Sequence, residues 1–245
     1  MTLPLEVHDL RAGYGRREVL SGVGFAVQPG EVFGLIGLNG AGKTTLIRSI
    51  LGLTPATGTF SLFGRPNGEP AARRGLFYLP EKYQPAAQLS GWEHLELAQA
   101  WIGGSLDRDA ARALAGGLAL DPAALDRRVR TYSKGMGQKL GLVAALKSRL
   151  PLLILDEPMS GLDPRARVRL KDHLIAYRGE EGGNSVFFSS HVLADVEEIC
   201  DRIGVLHGGR LLYCGPPADF VAGHGGGTLE RAFLAAIDAA DGVYC

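Results

Sequence analysis

The sequence is poor in the features that mark several large classes of protein. Its three cysteines, Cys200, Cys214 and Cys245, are an odd number without metal-ligand spacing in 245 residues. Neither a disulfide scaffold nor a zinc module is expected, and the thiols read as reduced. No apolar run reaches the ~18 residues that cross a bilayer, and the N-terminus has no secretory h-region. The expectation is a protein soluble by itself, tied to a membrane only through a partner. Neither sign of charge is in excess, since 26 basic residues balance 26 acidic ones. A duplex-binding module carries a basic face, so nucleic acid is not an expected partner. Repeats and blocks of like charge are missing too. What the chain does have is a 46 % hydrophobic fraction, enough for one large α/β domain or a core with a small insert.

Short β-type runs alternate with helical ones, which predicts a mixed sheet with helices on its faces. Leu5 to Leu10, Phe25 to Gln28 and Thr59 to Phe63 read as strands. Glu31 to Gly37, Leu76 to Pro80, Leu152 to Asp156, Ser185 to Ser190 and Arg202 to Leu206 are nearly all apolar and read as strands buried on both sides. Between Glu81 and Arg149 no such run occurs. Helix starts appear there instead: Ser90 to Glu93 fits a capping box, and Asp121-Pro122 places a cap before a first-turn proline. Trp92, Leu95, Ala98, Trp101 and Ile102 recur at helical spacing, and both tryptophans are expected in the core of a helical insert. After the structure-breaking stretch Gly223 to Gly227, Thr228 to Ile237 reads as a closing amphipathic helix.

Two motifs carry chemistry. Gly37 to Thr45 (GLNGAGKTT) matches G-x-x-x-x-G-K-[ST], a loop whose backbone N–H groups form a nest for phosphate. Asn39, Gly40, Ala41, Gly42, Lys43, Thr44 and Thr45 are the candidate phosphate ligands. Lys43 supplies a mobile positive charge, Thr44 offers a hydroxyl to Mg²⁺, and the helix that follows adds its positive end. A buried strand leads in and an apolar helical pattern leads out, which separates this stretch from a plain glycine turn. The second motif is Leu152 to Pro158 (LLILDEP). Asp156 at the strand tip suits Mg²⁺, and Glu157 suits orienting or deprotonating an attacking water.

In order and spacing, Gly37 to Thr45, Tyr132 to Met136 (YSKGM), LLILDEP, Ser160 to Asp163 (SGLD) and Ser189 to His191 (SSH) resemble the nucleotide-binding subunit of ATP-binding cassette (ABC) transporters. The likeness covers roughly residues 3 to 237. It implies a P-loop NTPase-type mixed sheet flanked by helices, α/β in class, with an inserted helical subdomain. Residues 1–81 and 150–222 would form one discontinuous ATP-binding core, 82–149 the helical subdomain and 223–245 a short tail. The implied function is hydrolysis of ATP with Mg²⁺ by a dimer, a second copy of the chain or a sister subunit, closing around two nucleotides to drive an integral membrane permease. The implied place is the cytoplasmic face of a bacterial membrane.

The resemblance also assigns single residues. Ser133 and Gly135 would grip the γ-phosphate of ATP held by the other subunit, Ser133 being also an ordinary helix cap. Tyr14 would stack on adenine, or serve as a surface turn residue. His191 would touch the γ-phosphate and help align water. Asp163 would lie at the dimer interface and cap the helix that begins at Pro164. Glu81 replaces the family's usual glutamine as a contact to Mg²⁺ and water, with Gln84 out of register. Lys134 and Met136 also depart from the usual pattern. With Tyr132, Glu81 and the tail Leu229 to Phe233, they resemble the subfamily paired with six-helix, often export-type permeases. The groove beside Glu81 to Trp92, around Lys82 and Tyr83, is the expected docking surface. The alternative is a soluble ABC ATPase acting on nucleic acid or ribosomes, but such chains usually carry two cassettes, coiled coils or basic extensions.

Overall fold

The computed structural model describes residues 2–15, 17–178 and 183–242, so Cys245 lies outside the described residues. The chain opens with strands β1 (Leu5–Tyr14), β2 (Arg17–Val27) and β3 (Val32–Ile36), then helix α1 (Lys43–Ile50) and strands β4 (Ala56–Leu62), β5 (Arg65–Pro66) and β6 (Leu76–Leu79). A helical stretch follows: α2 (Gly91–Trp101), α3 (Arg108–Gly117) and α4 (Lys134–Ser148). The chain returns through β7 (Leu152–Asp156), α5 (Pro164–Arg178), β8 (Ser185–Ser190), α6 (Leu193–Ile199), β9 (Arg202–His207), β10 (Arg210–Gly215), α7 (Pro217–Gly223) and α8 (Leu229–Ala240).

Two sheets form. The larger runs β10-β9-β3-β8-β7-β6, all parallel except β10 against β9, and the smaller is antiparallel in the order β2-β1-β4-β5. Side chains of the central strands alternate between two cores, as period-2 geometry requires. Leu152, Ile154 and Phe187 face α1 and the small sheet, where Phe25 stacks on Phe33 and Phe187 with centroids 5.2 and 5.5 Å apart. Leu153, Leu155 and Phe188 face the other way, into a core continuous with Trp92, Leu95 and Leu114 of the helical stretch. Each such buried side chain contributes about 1.5–3 kcal/mol. In the parallel order β3-β8-β7 the C-terminal tips of three buried strands lie side by side, and the glycine loop, Asp156–Glu157 and His191 leave from those tips.

Three expectations are corrected. Trp101 is not core: it is 83 % exposed, whereas Trp92 is 5 % exposed. Nine helical residues separate the two, a rotation of about 180°, so burying one turns the other to solvent. Strand β6 is not buried on both sides. It is the edge of the large sheet, and of its four residues only Leu79 is fully buried. Asp121 does cap, accepting from the Ala123 N–H at 3.0 Å, but it opens a short 3-10 turn over Pro122–Asp126. The capping box of α2 forms as expected, Ser90 Oγ accepting from Glu93 N–H at 3.1 Å and Glu93 Oε2 from Ser90 N–H at 2.6 Å.

Candidate active site

The loop from Gly37 to Gly42 joins β3 to α1. Only glycine fits at Gly37, where a Cβ would stand 2.5 Å from the Leu206 carbonyl oxygen on β9. At Gly42 φ is 108°, a left-handed value that favours glycine. No side chain caps the start of α1 at Gly42, so its first N–H groups stay available to an anion. Lys43 folds back into the loop. Its Nζ donates to the Gly37 carbonyl at 2.7 Å and pairs with Glu157 Oε1 at 3.2 Å.

Asp156 ends β7 and is 1 % exposed. Ser189, on the neighbouring tip of β8, donates from Oγ to Asp156 Oδ1 at 2.6 Å and accepts from the Glu157 N–H at 2.9 Å. One hydroxyl thus fixes both acids. Burial pushes the Asp156 carboxyl up from the ordinary carboxylate range, opposed by the hydroxyls of Ser189 and Thr44. Its Oδ2 is buried and closes no hydrogen bond; the Thr44 hydroxyl faces the carboxylate and favours its charge without completing one. A buried carboxylate oxygen in that condition is costly unless a cation meets it, so the donor set Asp156, Thr44 fits a hard divalent ion.

Glu157 adopts a left-handed backbone at φ 50°, unusual for a residue with a side chain. Its Oε2 lies 2.8 Å from His191 Nδ1. A carboxylate only accepts, so Nδ1 carries the hydrogen and Nε2 remains for a ligand. Lys43, Thr44, Glu81, Glu157 and His191 line a single cleft of about 420 Å³ together with Asn39, Gly40, Gly42 and Thr45. Glu81, not Gln84, is the member from its segment that lines it. Val19 of β2 and Ser160 also line it, and the sequence had not marked either as a site residue.

Tyr14, 56 % exposed, lies outside that cleft. It lines an adjoining one of about 710 Å³ which shares Val19, Leu38, Asn39 and Gly40 with the first, adds Ala41, and is backed by Gly208 and Gly209. Ser133 and Gly135 line neither. Ser133 is exposed and caps α4, accepting from the Met136 N–H at 3.2 Å. A Cβ on Gly135 would lie 3.8 Å from the Gly161 carbonyl, so the two motif segments adjoin. Asp163 caps α5 through the Ala166 N–H at 3.0 Å and pairs with Lys139 at 3.1 Å.

The sequence profile of the ABC transporter family matches residues 20–160, from β2 through the cradle, the helical stretch and the tandem acids. The chain belongs to the ABC transporter family. It is similar to an uncharacterized ABC transporter ATP-binding protein of Nostoc sp., 42 % identical over 200 residues, 80 % of this chain and 59 % of the relative. It is 38 % identical to the ABC-type transporter ATP-binding protein EcsA of Bacillus subtilis, over 84 % of this chain and 85 % of EcsA. A solved structure of an ATP-binding subunit of an ABC transporter superposes with a TM-score of 0.86 at 36 % identity, covering 96 % of this chain and 99 % of that one. The chain spans about three fifths of the length of the first curated relatives it matches, 59 % and 58 %. No helix among the described residues is long and apolar enough to cross a membrane.

Proposed function

We propose that this chain hydrolyses ATP to drive a separate membrane permease, working as a dimer at the cytoplasmic face of a bacterial membrane. The observation that carries the reading is the convergence on one carboxylate: Glu157 receives Lys43 on one oxygen and His191 on the other, inside a glycine-walled cleft.

The loop from Asn39 to Thr45 and the start of α1 bind the phosphates, Lys43 leaving Glu157 for the phosphate charge. Thr44 and Asp156, with Glu81 beside them, would hold Mg²⁺, which supplies charge neutralisation at the phosphate oxygens. Glu157, released from Lys43, orients a water for in-line attack and takes its proton. His191 keeps Glu157 in place through its Nδ1–H, and its Nε2, on the γ-phosphate side, accepts from the attacking water. Tyr14, at the open end of the adjoining cleft, meets the adenine ring. Ser133 is exposed and Gly135 half-buried, and neither lines the clefts of its own chain, which suits a role toward nucleotide held by the second subunit. Residues 82–149 then act as the subdomain that passes closure to the permease. Lys82 and Gln84 are exposed and available to that partner, whereas Tyr83 is turned inward.

The test is release of phosphate from ATP by the purified chain with Mg²⁺, beside the Lys43→Ala variant. The variant is expected to fold with parental circular dichroism and to lose nucleotide binding about 100-fold or more. Parental binding by that variant would sink the phosphate-cradle assignment.

A further inference from the structure

Glu81 lines the cleft, yet its side chain has no hydrogen-bond or ion-pair partner among the described residues. Something else must hold it there. Two residues on, the Tyr83 ring lies against α4 at a place that only glycine permits. A Cβ on Gly141 would stand 2.6 Å from Tyr83 Cδ1, 2.8 Å from Cε1 and 2.6 Å from Leu79 Cδ1. One turn earlier, a Cβ on Gly137 would lie 3.4 Å from Pro85 Cδ and 3.9 Å from the Tyr83 carbonyl oxygen. Gly137 and Gly141 therefore form a flat track on α4 that receives the segment after Glu81. On its other side Tyr83 reaches α2: its hydroxyl lies 2.7 Å from His94 Nε2, with the rings edge to face at 5.8 Å.

We propose that Tyr83 is the positioning residue that sets Glu81 in the phosphate cleft, clamped between a glycine track on α4 and a hydrogen bond to His94 on α2. The hydroxyl and Nε2 share one hydrogen bond, the hydroxyl donating when the imidazole hydrogen sits on Nδ1. His94 is itself fixed, because the Ser90–Glu93 box sets the start of α2 and Arg128 ties Glu93 at 2.8 Å. The clamp joins three things: the cleft through Glu81, the helix α2, and α4, whose first turn bears Gly135 and whose cap is Ser133. A shift of the helical subdomain is thus felt at Glu81 through one aromatic ring. This inference rests on the proposed ATPase reading for its catalytic consequence, and on geometry alone for the clamp.

Three single variants and one double test it: Tyr83→Phe, His94→Leu, His94→Gln, and Tyr83→Phe with His94→Leu. Steady-state ATP turnover is measured beside hydrogen–deuterium exchange of residues 81–85 in the nucleotide-free chain. Tyr83→Phe and His94→Leu should each lower kcat by about 5–10-fold with KM within about twofold, and speed exchange of the segment by a similar factor. His94→Gln, which still presents an acceptor near the Nε2 position, should stay close to parent in both. The double variant should be no worse than the worse single, since both remove one bond. Parental exchange and turnover in Tyr83→Phe, or multiplied losses in the double, would overturn the clamp. If the parent itself turns over no ATP, the ATPase reading fails, and the exchange measurement still decides the clamp.

Discussion

Lys43 Nζ and Glu157 Oε1 lie 3.2 Å apart in a buried ion pair at the floor of the phosphate cleft. The cation of the cradle and the proposed water-activating acid therefore neutralise each other until a phosphate arrives. On the proposed reading, ATP competes with Glu157 for Lys43 and in winning it releases the carboxylate, so that binding and activation are one exchange of partners.

The Glu157→Gln variant separates the two consequences. Its amide cannot pair with Lys43 as a charge, so ATP loses a competitor and affinity should rise severalfold. Its turnover should fall by about 10²–10⁴, the usual worth of a positioned general base. With Mg²⁺ and ATP the variant should elute as a dimer on sizing chromatography. Phosphate release at the parent rate would remove Glu157 from the mechanism.

Asp156 gives a prediction in pH. Burial raises its folded-state pKa above the ordinary carboxylate value. Across that interval the folded chain holds more protons than the unfolded one, so this group's contribution to stability falls as pH rises through it. Above the interval, the buried charge is a standing cost in the nucleotide-free protein. Asp156→Asn should therefore melt higher than the parent at neutral pH, with the gap closing toward about pH 4. The same variant should lose the Mg²⁺-dependent part of the rise in Tm that ATP produces. Scanning fluorimetry across pH reads both. A variant that melts below the parent at pH 7 would contradict the reading that the hydroxyls around Asp156 fall short of offsetting its burial.

The parts of the site that were legible in the sequence are those whose chemistry is contiguous. Gly37 to Thr45 and Asp156–Glu157 declare themselves because a nest and a strand tip each need their residues in a row. Ser189 shows the limit. Nothing in the SSH stretch by itself says that one hydroxyl serves Asp156 Oδ1 and the Glu157 N–H, because that depends on β8 lying beside β7. Val19 reaches the cleft through the pairing and placement of β2, which no local pattern encodes. Strand β10 was a different kind of miss, since its signal was present. Gly208 and Gly209, at φ 53° and 75°, form a two-residue turn between β9 and β10, and a Gly-Gly pair between two apolar runs is a hairpin signature. The fold class follows from alternation of buried strands and helices. The edge position of β6 does not, because apolar content cannot distinguish a strand covered on both sides from one that merely packs on a neighbour.

The two tryptophans turn that lesson into a measurement. Helical spacing admits Trp92 and Trp101 to one helix but does not say which face is covered. Trp92 is buried among insert and core side chains, its Nε1 donates to Asp126 at 3.1 Å, and the Arg108 guanidinium lies over its ring at 5.1 Å. Removing it by Trp92→Ala should cost about 3–5 kcal/mol, as for other buried aromatic truncations. Trp101→Ala should change stability by less than about 0.5 kcal/mol, because the ring leaves solvent and nothing else. Urea denaturation followed by circular dichroism compares the two directly, and acrylamide quenching of each single-tryptophan variant checks exposure independently. Equal destabilisation by the two truncations would mean that α2 buries both faces, and the orientation of the helical stretch on the core would have to be redrawn.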